Sequence, residues 1–241
     1  MSSQNRGIVL QHIRYGDSSL IVRIYTESHG LQSFMIKGAY KRKSSFKPAL
    51  FQPLSLLAFE AVIHPTRELQ FMSEAILEKP FYSFTSNIKK STIIIFLSEL
   101  LSRTLKEHTT NPSLFSFLSH SLEWFDLRKE KFSDFHLYFI IELSRHLGFY
   151  PKTDQYNTGY LFDMIDGEFK PSHQLNLHTL SAENSQYLYK LCQTRLDNIE
   201  TLGFSREIRR SLLDNLLIFY QHHVPGFGKL HAHEIVSQLL T

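Results

Sequence analysis

The 241-residue chain carries a formal charge of +3 and is 42% hydrophobic, which is enough apolar material to build cores in one large or two small domains. Its single cysteine, Cys192, excludes an internal disulfide and a cysteine-built zinc site within one chain. The most apolar run, residues 93–97, is too short to cross a bilayer, and residues 1–6 lead into no secretory signal, so a soluble, cytoplasmic protein is expected.

The charge is unevenly distributed. Residues 1–80 hold ten Lys/Arg against six Asp/Glu, and the stretch between Glu27 and Glu60 has no acidic residue at all. Three strand-like runs open the chain, at residues 8–13, 20–25 and 31–37. Gly16-Asp17-Ser18 and Ser28-His29-Gly30 separate them, and both breaks have turn chemistry. Lys37-Gly38-Ala39-Tyr40-Lys41-Arg42-Lys43 follows, with Lys47 beyond it. Cations beside an aromatic ring suit a polyanion, and Tyr40 among Lys37, Lys41, Arg42, Lys43 and Lys47 fits the way single-stranded nucleic acid is held without reading its sequence. A solvated basic loop without a ligand is the bland alternative.

Two further strands are expected at residues 53–62 and 69–76. Five short strands in about eighty residues point to a small β-barrel, an OB-fold or an SH3-like barrel. Lys79-Pro80 then marks a change from strand to helix periodicity. Helices are predicted over residues 87–107, with Ile88, Ile95, Leu101 and Leu105 facing the core, and from Asn111-Pro112 through Phe125. A third is predicted from a cap at Asp134 to Gly148. Residues 149–180 interrupt the pattern with a short hairpin, residues 161–165 against 168–170, before helices resume at residues 182–199, 206–223 and 232–240. The fold class is α+β in two domains: residues 1–79 form a nucleic-acid-binding barrel, and residues 80–241 form a helical domain with a small inserted hairpin region around 150–180.

Other constellations carry less. His222, His223, His231 and His233 lack the spacing of a zinc site, and no phosphate loop, nucleophile elbow or carboxylate pair at helical spacing occurs. An enzyme, such as a hydrolase with a dispersed site, is the minor alternative. Arg206, Arg209 and Arg210 crowd the start of a helix, where the dipole disfavours cations. That placement asks either for acidic neighbours or for a bound carboxylate or phosphate.

Gly7-Ile8-Val9-Leu10, Tyr15-Gly16-Asp17-Ser18-Ser19-Leu20-Ile21-Val22, Thr26-Glu27-Ser28-His29-Gly30, Lys37-Gly38-Ala39-Tyr40-Lys41-Arg42-Lys43-Ser44 and Tyr220-Gln221-His222-His223-Val224-Pro225-Gly226-Phe227-Gly228-Lys229-Leu230 follow one another along the chain. Together these stretches resemble the RecO family of bacterial recombination mediators. The resemblance implies an N-terminal OB-fold, a helical C-terminal domain and no bond chemistry. It also implies binding and annealing of single- and double-stranded DNA, loading of recombinase onto DNA coated by single-strand-binding protein (SSB), and a bacterial, nucleoid-associated location. RecR and the acidic C-terminal tail of SSB are the implied partners, with no membrane. DNA contact is carried over to Lys37, Lys41, Arg42 and Lys43, and extended by local charge to Arg14, Arg23 and Lys47. The SSB tail is assigned to Arg206, Arg209 and Arg210. Many relatives carry a four-cysteine zinc module where this chain has Gln155-Tyr156-Asn157-Thr158, so neither zinc nor any other cofactor is expected. An OB-fold protein binding RNA, or associated with translation, is the rival reading.

Overall fold

A computed structural model describes residues 3–42, 44, 46–106, 109–174 and 176–239, and divides the chain into two compact units, Met1–Asp126 and Leu127–Thr241. In the first unit, β1 (Ser3–Tyr15), β2 (Ser19–Thr26), β3 (Gly30–Ile36), β4 (Leu56–Val62) and β5 (Leu69–Lys79) close into a barrel in the order β1-β2-β3-β5-β4. Only the β3–β5 pairing is parallel. This is the OB-fold, and the SH3-like alternative falls away.

Alternation decides what lies inside. Along β2, Leu20, Val22 and Ile24 are buried while Ile21 and Arg23 between them are only half-buried, as a pleated strand requires. With Val9, Phe34, Ile36, Phe51, Leu57 and Phe59 they fill the barrel, where the Phe34 and Phe59 rings meet edge to face at 5.2 Å. Gly7 is a packing requirement, because a Cβ there would lie 2.4 Å from Ile24 Cγ2. The strand expected from residue 53 starts at Leu56 instead. Leu54 has φ +59 and sits in a turn, its amide donating to Val9 O at 2.8 Å.

After β5 the chain turns helical with α1 (Ser83–Ser86), α2 (Ile88–Thr104) and α3 (Pro112–Leu127). The barrel ends at Lys79, and the first compact unit continues to Asp126, with α2 and α3 packed on the barrel. Ser98 on α2 donates to Leu10 O at 2.5 Å, where β1 bulges out of register, and Tyr25 meets Phe115 of α3 at 6.5 Å. Asn87 caps α2 by accepting from the amides of Lys89 and Lys90, and Asn111 Oδ1 accepts from Leu114 N at 3.0 Å at the start of α3.

The core face of α2 differs from the one predicted. Leu101 and Leu105 are buried, but Ile88 and Ile95 are 71% and 53% exposed, and Ile93, Ile94, Phe96, Leu97 and Leu100 take the inside. The apolar run at residues 93–97 offered two helical faces, and the barrel selected one. Lys90 is buried too. Its ammonium donates to Phe125 O at 2.5 Å, Asp126 O at 3.0 Å and Ser83 Oγ at 2.9 Å, so it satisfies carbonyls at the C-terminal end of α3.

In the second unit, α4 (Phe135–His146), α5 (Ala182–Cys192), α6 (Arg206–His223) and α7 (Ala232–Leu239) accompany the hairpin of β6 (Leu161–Asp163) and β7 (Glu168–Lys170). Ser205 caps α6 by accepting from Ile208 N, and Gly148, at φ +87, ends the α4 segment. The helix expected over residues 182–199 stops at Cys192 and resumes only as a 3-10 turn, Leu196–Thr201. Asp134 precedes α4 but makes no side-chain cap bond, because its carboxylate is turned to Arg209. Tyr220, fully buried, donates its hydroxyl to Ile140 O at 2.6 Å and ties α6 to α4.

Candidate nucleic-acid interface

The loop after β3 owes its shape to two apolar anchors. Ala39 is buried and the Phe46 ring packs on Phe51 at 6.3 Å, while Tyr40, Lys41, Arg42 and Lys47 beside them are exposed. Gly38, at φ +70, makes the reversal that lets Lys41 N donate to Gly38 O at 2.9 Å. Tyr40 N donates to Ser18 O at 3.2 Å and joins this loop to the β1–β2 turn.

Most of the cations predicted from sequence come together at this rim and on the adjoining outer wall. Lys37, Lys41, Arg42, Lys47 and Arg14 are exposed. The Arg14 guanidinium lies 5.1 Å from the centroid of the exposed Tyr40 ring, and Lys47 Nζ reaches Arg42 O at 3.4 Å. Lys37 Nζ sits 4.9 Å over the Phe71 ring. Arg23 is half-buried on the same wall, and burial lowers its guanidinium from the ordinary value. Lys43 lies outside the described residues. Among the described residues none of these cations pairs with a carboxylate, whereas Arg6, elsewhere on the barrel, is held by Glu27 at 2.9 Å and Glu78 at 2.7 Å.

What the sequence did not reveal is the wall between the cations. Strand register sets Ile13 beside Ile21, Ile21 beside Met35, Met35 beside Phe71 and Phe71 beside Val62, giving one outward row across all five strands. Ile13, Phe71 and Val62 are exposed and the other two half-buried. Lys37 follows Met35 on the same face, and Arg23 follows Ile21 one pleat the other way. The result is an apolar and aromatic strip bordered by positive charge. It can take planar rings on its surface and phosphates along its margins. The alternation along each strand was the available signal, but it also fits a core, and only register joins residues this far apart in sequence.

The helical unit treats its charges differently. Arg206 and Arg210 are exposed on α6, but Arg209 is enclosed, with Nη1 bound to Phe204 O and 3.5 Å from Asp134 Oδ1. Of the three arginines assigned to a bound tail, Arg209 is thus the one whose guanidinium already faces an internal carboxylate. Burial raises the Asp134 carboxyl above the usual range in spite of that partner.

Around the hairpin, Asp163 is a hub of internal bonds. It accepts from Lys170 Nζ at 3.0 Å, Asn176 Nδ2 at 2.7 Å and the amides of Ile165 and Asp166. Burial alone would raise its carboxyl, but these donors outweigh that and hold it below the usual range. The histidines are dispersed among other partners: His223 Nε2 meets Met164 O at 2.9 Å, His233 Nε2 meets Asp214 at 2.6 Å, and His222 stands edge-on to His178. Among the described residues no group of three His, Cys, Asp or Glu could hold a metal ion, and no helix is long and apolar enough to cross a membrane.

Comparison with known proteins covers the same span. Residues 1–81 match the family described as recombination protein O N terminal, and residues 85–231 the one described as recombination protein O C terminal. The chain is 36% identical over 241 residues to the DNA repair protein RecO of Phocaeicola vulgatus, covering 100% of both chains. It is 35% identical over 240 residues to that of Bacteroides fragilis, covering 99% of both, and 35% identical over 242 residues to that of Flavobacterium johnsoniae, covering 100% of both. Matched through both of its parts and along its whole length, the chain belongs to the recombination protein O family of DNA repair proteins.

Proposed function

We propose that this protein is a recombination mediator that binds single- and double-stranded DNA through its barrel, anneals complementary strands, and helps load recombinase onto DNA coated by SSB. The observation that carries this reading is the outward apolar row Ile13–Ile21–Met35–Phe71–Val62 with Arg23 and Lys37 on its own face, together with the exposed Arg14, Lys41, Arg42 and Lys47 of the rim, none of which meets a carboxylate among the described residues. Phosphates displace counterions at those cations, and bases stack on Tyr40 and Phe71, so binding is sequence-tolerant and weakens steeply with salt. Two strands held on such a surface have their mutual repulsion screened, which favours annealing. No step makes or breaks a covalent bond.

The test is a salt titration of single-strand binding with Lys41, Arg42 and Lys47 changed together to Ala. Three lost contacts at about 0.7 each lower the slope of log affinity against log salt by about 2. An unchanged slope in a correctly folded variant rejects the site. A preference for RNA over single-stranded DNA of equal length would favour the translation-associated reading.

RecR and the SSB tail are the protein partners of this reading. A tail that ends in acidic and apolar groups needs a cation beside apolar surface, and Arg206 and Arg210 are the exposed cations at the start of α6. A labelled tail peptide should bind more weakly to Arg206→Ala and Arg210→Ala. Equal affinities would remove both residues from the assignment.

A further inference from the structure

Beside Phe71 the barrel wall opens into a cleft of about 300 Å³ between the ends of β4 and β5. Its origin is a register slip. Glu60 pairs with Glu74 but Ala61 pairs with Met72, so Ser73 is an extra residue, and its hydroxyl donates to Glu60 O at 3.3 Å. Bulges of this kind re-aim the side chains that follow. Here the buried Ala61 and Met72 lie at the base, while Val62 and Phe71, 40% and 45% exposed, form apolar walls. His64 and Arg67 stand at the rim, on the loop between the two strands.

That loop is held in shape before anything binds. Gln70, 1% exposed, accepts from His64 N at 3.0 Å and donates to His64 O at 2.9 Å and Arg67 O at 2.8 Å. Arg67 N also donates to His64 O at 3.0 Å. A cleft fixed in this way costs little ordering on binding.

We propose that this cleft takes one unpaired nucleobase, and that it gives the barrel a preference for single-stranded over duplex DNA. The inference rests on the reading of the barrel wall as a DNA interface. Three features fit the occupant: one wall is an exposed aromatic ring with the Lys37 ammonium 4.9 Å from its centroid, the rim supplies an imidazole and a guanidinium for base edges or a flanking phosphate, and the cleft continues the outward apolar row. A paired base is kept out because it must first leave its stack and its partner, at a cost of a few kcal/mol. The cations of the loop that follows β3 meet phosphates, which strand and duplex share, and make no such distinction.

The experiment compares a labelled oligothymidylate, an abasic strand of equal length and a duplex of equal length on the full chain. Phe71→Ala and Arg67→Ala should each weaken oligothymidylate binding about tenfold, within the range of one lost base-stacking contact, while duplex affinity stays within about twofold. On the abasic strand Phe71→Ala should match the unaltered protein, and Phe71→Trp should retain oligothymidylate binding. Equal losses on strand and duplex, no loss on either, or a loss of RecR binding alone would overturn the cleft assignment. The Lys41/Arg42/Lys47 alanine variant separates the two levels of inference. If it weakens strand and duplex together while Phe71→Ala does nothing, the cleft fails and the interface stands; if it changes neither, the interface fails.

Discussion

The barrel and the helical unit use the same residue types in opposite ways. Around Tyr40, the cations are presented by a loop anchored by the buried Ala39 and the half-buried Phe46, and none of them meets a carboxylate among the described residues. In the second unit Arg209 faces Asp134, Lys170 meets Asp163 and Asp166, Lys152 meets Glu168 at 2.5 Å, and Arg145 meets Glu142 at 3.1 Å. A cation with an internal partner contributes to the fold and is no longer available to a ligand. One without a partner contributes little to the fold and keeps its field for something outside. On this contrast, the cations around the loop after β3 keep their charge for something outside, unlike Arg6 elsewhere on the barrel, and in the helical unit each arginine has to be judged by what it touches.

The contrast breaks most severely if Arg209→Ala proves harmless. Removing it strands a buried carboxylate, and a loss of about 3 kcal/mol is expected in chemical denaturation, with the salt slope of DNA binding unchanged. Asp163→Asn comes next, at about 2 kcal/mol, because several donors lose a charged acceptor. This effect depends on pH with a definite sign. The folded Asp163 carboxyl lies below its ordinary range, so its contribution is full above the unfolded value and disappears as pH falls through the lowered folded one. Melting temperatures of Asp163→Asn and the unaltered protein should therefore converge in acid. Asp134 runs the other way: its raised carboxyl favours the fold at low pH, and that contribution fades as pH rises through the raised value.

At the small end of the stability scale lies the barrel rim. Lys41, Arg42 and Lys47 changed together to Ala should alter stability by no more than about 0.5 kcal/mol while flattening the salt dependence of single-strand binding by about 2 in slope. A large loss of stability would show that these side chains hold the loop, and would erase the distinction between the units. Between these extremes, Ser98→Ala should cost about 1 kcal/mol by removing the bond to Leu10 O, and the barrel should loosen at the β1 bulge without any change at the rim.

Local chemistry by itself determined much of this protein. Gly16-Asp17-Ser18 and Ser28-His29-Gly30 ended strands where turn residues must, Asn87, Asn111 and Ser205 capped helices because their side chains reach backbone amides, and the basic run after β3 left its described cations exposed at the barrel rim. Tertiary structure alone decided the matters that depend on pairing distant segments. It turned Ile88 and Ile95 outward on α2, took Asp134 from its cap to Arg209, and assembled Ile13, Ile21, Met35, Phe71 and Val62 into one exposed row. The physical reason is that turns and caps are contacts between near neighbours in the chain. Strand register and the choice of a buried helix face are set by whichever remote surface closes over them.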